Sequence, residues 1–169
     1  MTDTPTKLLF TADALAGGAF GFRHPLDATV RCTITPVSRL AGLHGAAINL
    51  VHIAPNETAF PFHRHHAQEE WAYVLSGRGE VRLDAEHHTI GPGDFVTFPP
   101  GGPAHAMRNT GEEVLICLMG GDATPTDVID FPELGHRAIR DSHGYASAPE
   151  AAFVPLFPGA SPAAPKEPL

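Results

Sequence analysis

The chain of 169 residues has little cysteine, no long apolar run and no cluster of basic charge, and each shortage removes a class of protein. Without eighteen consecutive apolar residues, it offers no ordinary helical membrane span. The opening MTDTPTKLLF lacks the basic n-region and apolar h-region of a secretory leader, so a cytoplasmic location is the default expectation. Cys32 and Cys117 are the only cysteines, which argues against a disulfide framework or a thiolate metal site and predicts two buried thiols. The 11 basic residues are scattered among 19 acidic ones, for a formal net charge of −8. Such a surface has no stripe for phosphates, so neither nucleic acid nor an anionic membrane is an expected partner.

Glycine and proline, 17 of each, punctuate short apolar stretches in a chain whose 43% hydrophobic content suits one globular domain. That pattern predicts an all-β fold. Strands are expected at residues 29–35, 46–53, 71–75, 80–83, 94–98, 105–109 and 113–119. Turn signals separate them, at Ser76-Gly77-Arg78-Gly79, Gly91-Pro92-Gly93-Asp94, Pro99-Pro100-Gly101-Gly102 and Asn109-Thr110-Gly111. Many short strands without helices long enough for crossovers imply a sandwich or barrel over residues 29–125. Residues 1–28 read as an extension with a possible edge strand at 7–10, and residues 126–145, which contain Pro132 and Gly135, as a loop or short helix. Residues 146–169 hold six prolines in 24 positions and read as an irregular C-terminal tail. Its Phe153, Val154, Leu156 and Phe157 are costly to leave in water and would lie across the domain or a partner subunit.

Eleven histidines are many for this length, and histidine is the commonest metal ligand. Residues two apart on a strand share a face, so His63 and His65 can aim at one point while His66 faces the other way. Glu70 opens the next apolar run and can return its carboxylate to that point. Two imidazoles and a carboxylate suit a divalent zinc, iron, manganese, nickel or cobalt ion. His105, Met107 and Asn109 share a face of a later strand; if it is the inner one, His105 joins the same site. Met107 could then line a substrate pocket or fill the core, and Asn109 could meet a substrate or fix the turn before Gly111. His66 and Glu69 are the rivals for ligand places. His87 and His88 fall where a turn is expected, His24, His44, His136 and His143 have no partners at ligand spacing, and His52 reads as a hydrogen-bonded wall residue.

The joint pattern His63-x-His65-x4-Glu70, followed by Tyr73-Val74-Leu75-x-Gly77-x-Gly79, resembles the first motif of the cupin superfamily. Gly93-x5-Pro99-Pro100-Gly101-x3-His105-x3-Asn109 resembles its second motif, with one extra residue between the turn and His105 that predicts a wider turn and a retained ligand. The resemblance covers roughly residues 45–120. It implies a cupin-type β-barrel or jelly roll, with extra N-terminal strands here, and one divalent metal ion per chain held by His63, His65, Glu70 and His105. The family spacing favours Glu70 over Glu69, and strand alternation turns Trp71 and Tyr73 away from the metal, into a second layer or a subunit interface. Small cupins commonly pair, so a homodimer is expected. The function this implies is metal-dependent chemistry on a small molecule by an oxygenase, isomerase, lyase or cyclase. The alternative is a cupin that binds or senses a small ligand without catalysis; such sensors are often fused to a DNA-binding domain, and no helix-turn-helix pattern is visible here.

Overall fold

A computed structural model describes residues 8–154. In chain order the strands are β1 (Phe20–Arg23), β2 (Arg31–Thr35), β3 (Ala46–Ile53), β4 (Arg64–His65), β5 (Glu70–Ser76), β6 (Gly79–Leu83) and β7 (Glu86–Ile90). They continue as β8 (Phe95–Phe98), β9 (His105–Asn109), β10 (Leu115–Asp122), β11 (Asp127–Phe131), β12 (His136–Asp141) and β13 (Gly144–Pro149). Two single-turn helices, α1 (Ala12–Ala16) and α2 (Val37–Ala41), interrupt the first part of the chain. Three antiparallel sheets result, in the orders β1-β2-β3-β10-β5-β8, β13-β12-β11-β4 and β7-β6-β9. Among the described residues, no helix is long and apolar enough to cross a membrane.

Period-2 alternation explains the core. Val51 and Ile53 of β3, Val74 of β5, and Leu115 and Cys117 of β10 are fully buried, and they meet Val81, Ile90 and Met107 of the three-stranded sheet. Burying one such aliphatic side chain contributes about 1.5–3 kcal/mol. The opposite parity faces outward, where Tyr73, Leu75 and Phe95 are exposed and the Trp71 ring stacks on Phe95 at 5.8 Å. Trp71 and Tyr73 thus turn away from the ligand cluster, as alternation requires. The same rule puts His52 on the outer side of β3, and its buried Nδ1 has no hydrogen-bond partner among the described residues, unlike the expected hydrogen-bonded wall residue. Both cysteines are free and buried, and burial pushes each thiol up to about 12.

Three tight turns follow one chemical rule. Ala54-Pro55-Asn56-Glu57, Gly91-Pro92-Gly93-Asp94 and Pro99-Pro100-Gly101-Gly102 are each closed by a hydrogen bond from the fourth N–H to the first carbonyl, at 3.0–3.1 Å. Each has proline second and a positive φ third, of 66° at Asn56, 94° at Gly93 and 68° at Gly101, which is the type II pattern. The last of these is the turn before His105, and it has the same four-residue form as the other two. Pro103 and Ala104 then carry the chain into β9, and the ligand strand keeps its place.

Two sequence expectations need correction at the C-terminal side. Residues 126–145 form neither loop nor helix, and 146–149 are not tail. They are a three-stranded meander in which β11 pairs β12 and β12 pairs β13. Pro132 and Gly135 punctuate the first hairpin, with Gly135 at φ 61°, and Gly144 at φ 115° lies at the second. They mark turns between strands rather than breaks in a helix. A 3-10 turn at Glu150–Ala152 follows, and Phe153 lies under the Arg137 guanidinium at 5.7 Å. Leu156 and Phe157 lie outside the described residues, as does Lys7. At the other end Leu8–Phe10 form no strand, and the first edge strand is β1. His87 and His88 are exposed as expected but belong to β7, because a two-residue connection at Asp84-Ala85 returns the chain at once.

The meander is anchored by a buried acid. Asp130 of β11 accepts hydrogen bonds from Arg137 Nε at 2.6 Å, His66 Nε2 at 2.8 Å and Arg64 Nε at 3.3 Å. Burial works to raise its carboxyl pKa, but the bonds and charges of Arg137 and His66 outweigh this and bring it to about 2. A depressed native pKa stabilises the fold above the unfolded value of roughly 3.9 and loses that stabilisation as pH falls through the native one. Between about pH 5 and pH 2 the chain is therefore expected to lose about 1–2 kcal/mol through this group. Thermal melts across that range should show the loss in the wild type and a flatter profile in Asp130→Asn. Equal slopes would mean that Asp130 does not carry it.

Candidate metal centre

The site forms where the three sheets meet. His63 pairs with His105 of β9 through reciprocal backbone bonds of 3.0 and 2.7 Å. Two residues later the same segment changes partner, and His65 in β4 pairs with Ile129 of β11. Glu70 begins β5, in register with Phe98 of β8 and Gly121 of β10. The turn at Gly101 donates its N–H to the His65 carbonyl at 2.8 Å, tying the two sequence motifs together. Space is tight behind the loop between His65 and Glu70. A Cβ on Gly121 would sit 2.1 Å from the Glu69 carbonyl oxygen, so only glycine fits there.

All four expected residues converge. The Nε2 atoms of His65, His105 and His63 lie 3.1, 3.5 and 3.8 Å from one oxygen, Glu70 Oε2. Ligand-capable atoms of His63, Glu70 and His105 are mutually within 4.8 Å, and His65 joins them through Glu70. The three imidazoles are buried. Each turns its other nitrogen, Nδ1, toward an oxygen: His63 to the Pro61 carbonyl at 2.7 Å, His105 to the Pro103 carbonyl at 3.4 Å, and His65 to Asp127 Oδ2 at 2.5 Å. A ring nitrogen that donates its hydrogen leaves the other with a lone pair, which is how ligating histidines are oriented. Three such nitrogens and one carboxylate fit a divalent transition metal.

The electrostatics agree with a charged cluster. Burial opposes ionisation of Glu70, yet the imidazoles of His105, His63 and His65 that face it hold its carboxyl well below the ordinary range. Burial also works against protonation of His65, but Glu70 and Asp127 on either side raise its pKa overall. Burial dominates at His105 and lowers it. Of the rivals, His66 points away to Asp130 and Glu69 is exposed.

Of the two readings open to Met107 and Asn109, a substrate pocket or a part in the fold, the structure supports the second. Met107 is in the core cluster, with Cys117 Sγ 3.6 Å from its sulfur. Asn109 is fully buried; its amide donates to the Ile53 and Glu113 carbonyls at 2.7 Å each, and its oxygen accepts from Gly111 N–H at 2.9 Å. That is the turn-fixing role.

Sequence reasoning missed a second group around the site. His24, Phe22, Phe60, His63 and Phe131 form a closed circuit of neighbouring rings, with successive centroids 5.3–6.4 Å apart. Phe98 stacks on the His105 ring at 3.9 Å. These rings pack apolar surface against His63 and His105, while the Glu70 side chain remains 28% exposed. His24 accepts the Leu26 N–H at Nδ1, and burial, helped by repulsion from His63, lowers its pKa. Asp127 escapes a reading of its segment as a loop or short helix, although two acids inside the apolar run Asp127-Val128-Ile129-Asp130-Phe131 are themselves a signal of buried acids.

The cupin domain profile matches residues 49–120. A solved structure from Acidithiobacillus ferrooxidans, provisionally named a sugar phosphate isomerase, superposes with a TM-score of 0.82 at 32% identity, covering 89% of this chain and 97% of that one. Protein SchB of Streptomyces halstedii is 32% identical over 108 residues, which is 63% of this chain and 72% of SchB. Dimethylsulfoniopropionate lyase DddQ of Ruegeria pomeroyi is 34% identical over 76 residues, 44% of this chain, and the match spans only 37% of the lyase. The barrel, the two motifs and these relatives agree: the chain belongs to the cupin superfamily.

Proposed function

We propose that the chain is a metal-dependent enzyme that moves a proton on a small oxygenated molecule, as an isomerase or lyase, at a divalent ion held by His63, His65, Glu70 and His105. The observation that carries this reading is the convergence of three Nε2 atoms on one Glu70 oxygen, with each Nδ1 turned to an oxygen of its own. A divalent ion bound there supplies a Lewis acid that polarises a substrate oxygen. The Phe60, Phe98 and Phe131 rings keep the surroundings apolar and so strengthen electrostatic interactions within. His24, with Nδ1 engaged by Leu26, has Nε2 left to hold a hydrogen for a bound molecule.

The names of the isomerase and of the lyase support the choice of reaction class. Arg64 and Arg137 are engaged by Asp130, and Arg82 by Glu133. This favours a neutral or singly charged substrate over a phosphorylated one. The first experiment is elemental analysis of chain purified without chelator or nickel resin, alongside His105→Ala. One equivalent of a single divalent ion, lost in the variant, is expected. The loaded chain should then be assayed for aldose–ketose interconversion and for β-elimination from small acids. An ion-free wild type that takes up no added zinc, iron or manganese sinks the metal reading, and ion binding without turnover in either assay sinks the reaction class.

A further inference from the structure

Asp127 lies outside the matched domain, yet its carboxylate is buried against the site with its side chain fully covered. Its two oxygens have separate tasks. Oδ2 faces His65 Nδ1 at 2.5 Å, and Oδ1 accepts the N–H groups of Ala67 at 2.8 Å and Gln68 at 3.4 Å. The pairing of Ile129 with His65 fixes β11 alongside β4, so this contact is set by the ladder. Arg140 adds a second brace by donating to the Gln68 carbonyl oxygen Oε1 at 2.8 Å.

We propose that Asp127 is a positioning residue that sets the tautomer of His65, placing the ring hydrogen on Nδ1 so that Nε2 presents a lone pair to the metal centre. This rests on the proposed metal site. A neutral imidazole has one hydrogen, and the partner of one nitrogen decides the state of the other. A carboxylate only accepts, so Nδ1 must donate. His63 and His105 receive the same instruction from backbone carbonyls, which no side-chain substitution removes. His65 alone among the three depends on a side chain.

Two variants separate tautomer control from structural support. In Asp127→Asn the amide oxygen stays with the Ala67 and Gln68 N–H groups, which need an acceptor. The NH2 group then faces His65 Nδ1, forces it to accept, and moves the hydrogen to Nε2, where it blocks the ligand position. Asp127→Ala leaves His65 free to take either tautomer but strands both N–H groups and opens a cavity. The order of damage is therefore inverted between two readouts. Zinc affinity, measured against a chromophoric chelator, should fall about 10–100-fold in the Asn variant and less in the Ala variant. The melting temperature of the ion-free chain should fall further in the Ala variant. In the zinc-loaded wild type, a side-chain 1H–15N spectrum should place the His65 hydrogen on Nδ1.

Wild type that binds no zinc overturns the metal reading itself. Wild type that binds zinc, with unchanged affinity in both variants or with affinity and stability falling in the same order, overturns tautomer control alone. If neither variant folds, the wild-type spectrum decides, and a hydrogen on Nε2 overturns the proposal.

Discussion

Glu70→Gln is expected to lower zinc affinity about a hundredfold or more, a loss of roughly 3 kcal/mol, while the ion-free chain melts within a few degrees of wild type. The side chains are close in shape, so the substitution removes charge and little volume. The charge matters to a cation because Glu70 is the one anionic member of the converging set, and its carboxyl is held ionised by the three histidines. To the ion-free fold it matters little, because burying a carboxylate has a desolvation cost that offsets much of its attraction to His65. Competition with a chelator on the zinc-loaded chain reads the first quantity and a melt of the ion-free chain reads the second. Unchanged affinity would remove Glu70 from the ligand set. A collapse of ion-free stability would make it a structural residue.

Asn109→Ala should be among the most damaging single changes for stability, at about 3 kcal/mol or more. It leaves the Ile53 and Glu113 carbonyls and the Gly111 N–H without the fully buried side chain that pairs them. For a chain of this size the melting temperature should fall by roughly 10 °C. Asn109→Asp is the sharper comparison. It preserves shape but replaces the donating amide with an acceptor facing two carbonyls, so it should be no less damaging than alanine. Zinc affinity of the folded variants should stay close to wild type, since Asn109 touches none of the four converging residues. Wild-type stability in either variant would return Asn109 to the substrate-facing role that its shared face with His105 first suggested.

The contrast between these residues shows what alternation can and cannot reveal. His63 and His65 were legible because the period of two is local, and Glu70 and His105 because their spacing to nearby turns repeats a family pattern. The Pro-Gly turns at 91–94 and 99–102 were legible because proline fixes φ and glycine accepts the positive one. Parity without an anchor was not: Val51 and Ile53 face inward while Phe95 and Thr97 face outward, and no ligand nearby fixed either choice. The meander is hidden because Pro132 and Gly135 suit a loop or short helix as well as they suit the punctuation of a hairpin. Asp127 and the ring circuit of His24, Phe22, Phe60 and Phe131 arise from contacts between segments far apart in the chain, which no local spacing encodes.

The brevity of β4 has a kinetic consequence. Only two residue pairs, Ile129 with His65 and Asp130 with Arg64, join it to β11. Ladders this short open by local fluctuation far more often than the eight-pair ladder between β3 and β10, which belongs to the cooperative unit of the barrel. Were β4 and β11 to part, His65 would lose Asp127 while the Gly101 N–H still held its carbonyl. Release of an ion from this site would then follow the breathing rate of two strand residues, and the braces on Asp127, Asp130 and Gln68 would act as a clutch on residence time rather than as a share of global stability.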